Sequence, residues 1–289
     1  MTILDETYTL ANGVKIPKLG FGTWLIDNDK VQEPVKQALT AGYCHIDTAE
    51  AYGNEKGIGV ALRESDISRD KLFITTKLAA DIKSYPEAVE AIDQSLTDLG
   101  LDYVDLMIIH SPQPWDKFRN GEHYFAGNLA AWQALEDAYK VGKIRAIGVS
   151  NFEKTDLDNI LTNGTVKPVV NQVLAHVSNT PFDLLDYCQQ HDILVEAYSP
   201  VAHGAILQNP ILQQMAAKYD VSVAQLCLRY CLDLGMLPLP KSTTSSHIIA
   251  NTQLNFMIKQ EGLKQLKQID HIQDYGEFNG FPVYEKTDK

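Results

Sequence analysis

Residues 72–110 read LFITTKLAADIKSYPEAVEAIDQSLTDLGLDYVDLMIIH. The stretch opens on a short apolar, β-branched run, Leu72–Thr75, and passes through a segment of helical period over 86–99. It then returns to a second run, Val104–Ile109. Gly100 stands just past the helical segment, where a residue that tolerates positive φ is wanted. Strand, helix and strand in that order imply two parallel strands joined by a crossover.

The same alternation extends to both ends of the chain. Further runs lie at Leu19–Gly22, Tyr43–Ile46, Ile144–Val149, Val169–Gln172, Ile193–Ala197 and Met236–Leu239, which makes eight candidate strands. Helical segments fall near 30–41, 54–65, 86–99, 128–142, 153–163, 181–191, 222–234 and 246–254, with an extra helix at 210–219. Eight such units close into a (β/α)8 barrel, an α/β fold that uses about 250 residues as one domain. The rival is an open doubly wound sheet, which announces its nucleotide site by Gly-x-Gly-x-x-Gly after an early strand. No such signature occurs. Thr7–Leu10 and Val14–Ile16, joined by Asn12-Gly13, read as a β-hairpin that caps the N-terminal end of the barrel. No linker-like stretch divides the chain, so residues 1–289 are expected to form a single domain.

Composition narrows the function. The formal net charge of −12 argues against nucleic acid, whose phosphates demand basic patches. No stretch approaches the ~20 apolar residues that span a bilayer, and the acidic N-terminus does not read as a signal peptide. The expectation is a cytoplasmic protein, with no membrane partner and monomeric for want of an exposed apolar stripe. Cys44, Cys188, Cys227 and Cys231 lack metal or disulfide spacing and read as reduced thiols, so no metal site is expected. An anionic cofactor would have to be attracted locally, because the overall field repels it.

The chemistry lies at the strand ends. Reading each run to its C-terminal end, the polar or aromatic residues that mark it are Asp47, Lys77, His110, Ser150-Asn151, Gln172, Tyr198 and Lys241. In a (β/α)8 barrel those ends converge on the face where active sites are built. Asp47, Lys77 and His110 belong to neighbouring strands, and Tyr52 follows Asp47 in the same loop. A phenol is too weak an acid to protonate an alkoxide efficiently at neutral pH, and a buried Lys nearby lowers its pKa. Asp47 pairs with Lys77 and keeps it charged, and His110 orients a substrate carbonyl. The four suit carbonyl reduction, with hydride reaching carbon while Tyr52 delivers a proton to oxygen.

At these residues the chain resembles the aldo-keto reductases, of the bacterial type and similar to 2,5-diketo-gluconate reductase-like members. The matching stretches are 19–24 (LGFGTW), 42–55 (GYCHIDTAEAYGNE), 74–77 (ITTK), 99–110 (LGLDYVDLMIIH), 147–152 (IGVSNF) and 240–243 (PKST). The resemblance implies a tetrad of Asp47, Tyr52, Lys77 and His110 with Tyr52 as proton donor, and NADPH as cofactor. It implies that Ser150, Asn151 and Gln172 hold the nicotinamide carboxamide and that Tyr198 stacks on the ring. Thr23, Asp47 and Ser199 join them, and Lys241, Ser242, Thr243, His247 and Asn251 take the adenosine end. A hydroxyl-rich helix start with a Lys is an anion site. Substrate would meet Trp24, Tyr52, His110, Ser111 and Trp115.

Three positions depart from the family pattern. His247 stands where an Arg is usual, and Ala250 near where a Glu is usual. An Arg forks onto a phosphate and His does not, so NADPH is preferred with weaker discrimination against NADH. Ser111 stands where many relatives carry Trp, which predicts a less bulky, more polar wall. The long segment 111–127, with Trp115, Phe118, Tyr124 and Phe125, and the stretch from Gln273, with Tyr275, Phe278, Phe281 and Tyr284, suggest an aromatic-walled pocket. Two other classes remain open: a non-catalytic NADPH-binding subunit that senses redox state, and a barrel isomerase or aldolase using Lys77 as a Schiff-base former.

Overall fold

The computed structural model describes residues 2–284. In chain order its elements are β1 (Thr7–Thr9), β2 (Lys15–Pro17), β3 (Phe21–Gly22), α1 (Gln32–Thr40), β4 (His45–Asp47), α2 (Glu55–Arg63) and β5 (Phe73–Leu78). There follow α3 (Tyr85–Leu99), β6 (Leu106–Ile109), α4 (Phe125–Lys140), β7 (Ile147–Ser150), α5 (Lys154–Asn163) and β8 (Val170–Leu174). The last are α6 (Phe182–Gln190), β9 (Leu194–Tyr198), α7 (Pro210–Ala217), α8 (Val223–Asp233), β10 (Leu237–Leu239), α9 (Ser245–Ala250) and α10 (Gln260–Leu266).

Strands β3 to β10 form one parallel sheet in sequence order. Its two edges meet, because Gly20 N–H donates to Pro238 O at 3.2 Å and Gly22 N–H to Pro240 O at 3.0 Å. The sheet is therefore a barrel, with helices packed around it. At this seam a Cβ on Gly20 would lie 2.5 Å from Leu239 Cδ2 and 2.7 Å from His45 Nδ1, so a side chain there would force both buried neighbours to shift.

The barrel interior is apolar at one end. Phe73, Leu106, Ile108, Val170, Leu237 and Leu239 form one buried cluster with Leu10 and Ile16 of the N-terminal hairpin. Strands β1 and β2 pair antiparallel, with Gly13 at φ +85° in the turn, so the hairpin plugs this end as the alternation and Asn12-Gly13 predicted. A second, larger cluster lies between barrel and helices. It includes Cys188, Cys227 and Cys231, which are free thiols.

The expected strands all form, but their ends move. The run Leu72–Thr75 becomes Phe73–Leu78, and Val169–Gln172 becomes Val170–Leu174, so Lys77 lies within its strand rather than after it and Gln172 no longer ends its own. The ladder is a matter of backbone pairing, which continues past the first polar side chain. Helix 246–254 is shorter than expected, ending at Ala250, and α7 confirms the extra helix, capped by Asn209 Oδ1 accepting from Ile211 N–H and Leu212 N–H. Helix α10 was not expected at all.

Candidate active site

The register of the sheet gathers the four residues. Asp47 ends β4 and pairs with Thr75, while Lys77 in β5 pairs with Ile108 and His110 follows β6 directly. Tyr52 lies on a single helical turn, Glu50–Tyr52, which Gly53 closes at φ +65°. The loop is pinned by Asn54, a fully buried residue that sequence reading passed over. Its side-chain amide donates to Thr23 O at 3.0 Å and Ile26 O at 2.9 Å, and accepts from Thr48 Oγ1 at 2.8 Å. Thus the loop carrying Tyr52 and the loop carrying Thr23 and Trp24 are held as one body.

Lys77 Nζ is the hub. It donates to Asp47 Oδ1 at 2.7 Å, to Thr48 O at 2.7 Å and to Tyr52 Oη at 3.3 Å. Burial pulls the ammonium pKa down, but Asp47 and Tyr52 outweigh burial and the group is held above its ordinary range. Burial drives the Tyr52 phenol up, and Lys77 pulls against it without prevailing. The expected lowering of Tyr52 is therefore reversed: Asp47 neutralises much of the Lys77 field, so burial wins. His110 packs edge-on to Tyr52 with ring centroids 5.6 Å apart. Burial, then the charges of Lys77 and Lys83, force its pKa well down, so the imidazole is neutral at physiological pH. Its buried Nδ1 makes no hydrogen bond among the described residues.

On the far side of the barrel lie hydroxyl and amide groups. Ser150 Oγ donates to Gln172 O at 2.7 Å, and Asn151 Nδ2 donates to His110 O and Ser150 Oγ, both at 3.0 Å. Tyr198 donates its hydroxyl to Asn151 Oδ1 at 2.8 Å, which sets the tilt of its ring. Asn151 and Ser199 adopt φ of +61° and +50°, a strained conformation costing about 1–3 kcal/mol each, and turn the chain sharply at the ends of β7 and β9. Gln172 Nε2 donates to Asp47 Oδ2 at 2.8 Å and to Glu196 Oε2 at 2.7 Å. Glu196, fully buried, was hidden within the run Ile193–Ala197.

These groups open on a cavity of about 580 Å³. Thr23, Trp24, Asp47, Tyr52, His110, Trp115, Ser150, Asn151, Gln172, Tyr198, Ser199 and Lys241 all line it. Ser242, Thr243, His247 and Asn251 lie outside it, the first of them half-buried, Thr243 and His247 exposed, in the segment running from Lys241 into α9. The fit to a nicotinamide is good in donor chemistry. A hydroxyl, two amides and an aromatic ring stand together at one end, and the Gln172 amide oxygen makes no hydrogen bond among the described residues. Lys241 supplies the local positive charge that the net charge of −12 demands.

The other end is aromatic. Trp24 packs on His203 and Phe281 at 5.4 and 4.9 Å, and His203 stacks on Phe278 at 3.8 Å. Tyr284 Oη hydrogen-bonds Ser199 Oγ at 2.6 Å and His203 Nε2 at 2.8 Å, so the C-terminal stretch forms part of the wall as anticipated. His203 was not foreseen. Burial, then Lys241, depress its pKa to about 4. Ser111 departs from expectation. It is fully buried and does not line the cavity; its Oγ accepts from Gln113 N–H at 3.3 Å and its carbonyl from Lys83 Nζ at 3.0 Å. Trp115 instead stands edge-on to His110 at 5.2 Å, so the wall is bulky and aromatic here.

The parallel barrel is of the (β/α)8 class, with polar and titratable groups gathered at the strand ends where that fold builds its active sites. A sequence profile described as "Aldo/keto reductase family" matches residues 18–271, and the chain belongs to that family. It is 40% identical over 277 residues to the glyoxal reductase of Bacillus subtilis, covering 95% of this chain and 96% of the relative. It is 36% identical to a 9,11-endoperoxide prostaglandin H2 reductase of Trypanosoma cruzi, covering 95% and 94%. Among solved structures it matches an aldo/keto reductase from Brucella melitensis with TM-score 0.86 and 38% identity, covering 92% and 99%. It also matches the Bombyx mori aldo-keto reductase in complex with NADP, with TM-score 0.84 and 33% identity, covering 96% and 98%. The chain is thus an NAD(P)H-dependent oxidoreductase that acts on carbonyl compounds.

Proposed function

We propose that the protein reduces an uncharged aldehyde, α-dicarbonyl or ketone to the alcohol, with NADPH as reductant and Tyr52 as proton donor. The observation that carries the reading is the Lys77 ammonium, bonded at once to Asp47, to Thr48 O and to Tyr52 Oη. A reduced nicotinamide, when bound, supplies hydride to the carbonyl carbon. Tyr52 gives its proton to the carbonyl oxygen, and Lys77 stabilises the phenolate that remains until solvent restores the proton. Burial keeps Tyr52 protonated at rest, which is what a donor needs. Neutral His110 hydrogen-bonds the carbonyl without adding a second positive charge beside Lys77.

Ser150, Asn151, Gln172 and Tyr198 would hold the carboxamide end of NADPH, with Thr23 and Ser199 beside them. Lys241, Ser242, Thr243, His247 and Asn251 would take the adenosine phosphate. Trp24, Trp115, Phe278 and Phe281 supply an apolar wall that favours uncharged substrates, and the similarity to a glyoxal reductase supports small dicarbonyls among them. We place this activity on a single-domain, cytoplasmic monomer; among the described residues no helix is long and apolar enough to cross a membrane.

The test is loss of the reduced-nicotinamide absorbance with NADPH and a panel of aldehydes, dicarbonyls and ketones, for wild type and Tyr52→Phe. Turnover that falls by about 10²-fold or more in the variant supports the assignment. Equal rates would remove Tyr52 from the mechanism, and NADPH binding without turnover in either protein would favour a redox-sensing subunit.

A further inference from the structure

Two carboxyl groups share a single amide inside the barrel. Gln172 and Glu196 are register partners on β8 and β9, and Gln172 Nε2 places one hydrogen on Glu196 Oε2 at 2.7 Å and the other on Asp47 Oδ2 at 2.8 Å. Glu196 is fully buried, forms no ion pair among the described residues, and its Oε1 has no hydrogen-bond partner there. Nothing in the proposed chemistry uses it.

We infer that Glu196 is a positioning residue: by sharing the Gln172 amide with Asp47, it aims the Gln172 carbonyl oxygen into the nicotinamide end of the cavity. This rests on the cofactor reading above. The alternative rotamer, with the amide turned over, would set the Gln172 oxygen against the Asp47 carboxylate and is disfavoured by repulsion. With only Asp47 as partner, the amide would be held at one hydrogen and free to turn about it.

Glu196 performs this role as a neutral acid. The charged groups facing it are Asp47 from β4 and Lys77 from β5, and Lys77 is already bonded to Asp47. A second carboxylate here would be buried without a counter-ion, which costs far more than one unpaired neutral oxygen. Burial first and Asp47 second push the Glu196 carboxyl up to about 8. The barrel interior then carries one negative charge against one positive.

The experiment compares wild type, Glu196→Gln and Glu196→Leu by calorimetric titration with NADPH at neutral pH and about two units higher. Infrared spectra of the cofactor-free proteins are recorded alongside. Glutamine mimics the neutral acid, so Glu196→Gln keeps the neutral-pH affinity, whereas Glu196→Leu loses about tenfold, the worth of one buried hydrogen bond. At the higher pH the ionised Glu196 still accepts from the Gln172 amide, so wild type keeps its NADPH affinity while its protonated-carboxyl stretch is lost. The wild-type minus Glu196→Gln infrared difference shows a protonated-carboxyl stretch at neutral pH.

Absence of that band, or equal NADPH affinity in Glu196→Leu and wild type, overturns the inference alone. So does Glu196→Gln behaving like Glu196→Leu. A wild type that binds no NADPH overturns the reductase reading, and this role with it, even where the carboxyl band is present.

Discussion

In the mechanism proposed above, the buried Lys77–Asp47 pair serves both stability and chemistry. Removing one partner of such a pair leaves a bare charge and costs about 3–5 kcal/mol, more than removing both. Lys77→Met is therefore expected to lower stability by that amount and turnover by about 10²-fold or more, since Tyr52 loses the charge that offsets burial. Adding Asp47→Asn restores most of the stability and none of the turnover; denaturant melts and NADPH oxidation rates check the two halves separately. At the exposed segment that we assign to the adenosine phosphate, His247→Arg gives a forked, permanent cation, and the NADPH:NADH ratio of dissociation constants is expected to rise about tenfold. A wild-type ratio already above about 10³ would contradict the weak discrimination argued for this residue. Asp47, Lys77 and His110 were legible in sequence because each is the polar residue that ends an apolar run. Glu196 was not, since it sits inside one, although a carboxylate in the middle of a buried strand was a signal to be read. Ser111 was misread because a residue next to His110 was assumed to face the cavity, whereas Ser111 is buried away from it and Trp115, four residues on, lines the wall.

At the level of elements, strand order and helix alternation were plain in the hydrophobic period, and boundaries were not. A run read from side chains stops at Thr75 or Gln172, whereas pairing of the backbone carries β5 to Leu78 and β8 to Leu174. Helix α10 escaped because Gln260–Leu266 is short and mostly polar, with Gly262 and Leu266 its buried residues. The hairpin was legible through its turn, and its plugging role follows from Ile16 and Leu10, both buried against the barrel floor. Ile16→Ala is expected to cost about 2–5 kcal/mol of unfolding free energy, read as a lower urea midpoint. Its kcat should stay that of wild type, because the plug lies at the end of the barrel away from the cavity. A matching loss of kcat would mean that the floor and the mouth are mechanically coupled.

The molecule as a whole carries several buried imidazoles. Burial presses His45 and His176 down to about 3, and His110 well below the ordinary imidazole value. A histidine whose folded pKa lies below its unfolded value binds fewer protons when folded. Its stabilising effect is complete above about pH 6.5 and is lost as pH falls toward the folded value. Denaturant stability is therefore expected to fall between about pH 6 and pH 4, each such histidine adding up to about 1.4 kcal/mol per pH unit. Replacing His176 by Gln should flatten that slope by about one histidine's share, and an unchanged slope would remove His176 from the account. Glu196 acts in the opposite window. Its raised pKa costs stability progressively as pH climbs from the ordinary carboxylate range to about 8.

Placing Trp24 and Trp115 in the cavity wall gives the molecule an optical handle. Of its three tryptophans, the remaining one, Trp132, is buried on the inner face of α4 and donates its indole N–H to Val166 O at 3.0 Å. Its emission is shielded from a small neutral quencher such as acrylamide, while light from the other two is dimmed. A guest that fills the cavity screens Trp24 and Trp115 and leaves Trp132 as it was. The quenchable fraction of the emission thus counts filled sites directly, with no dye and no turnover.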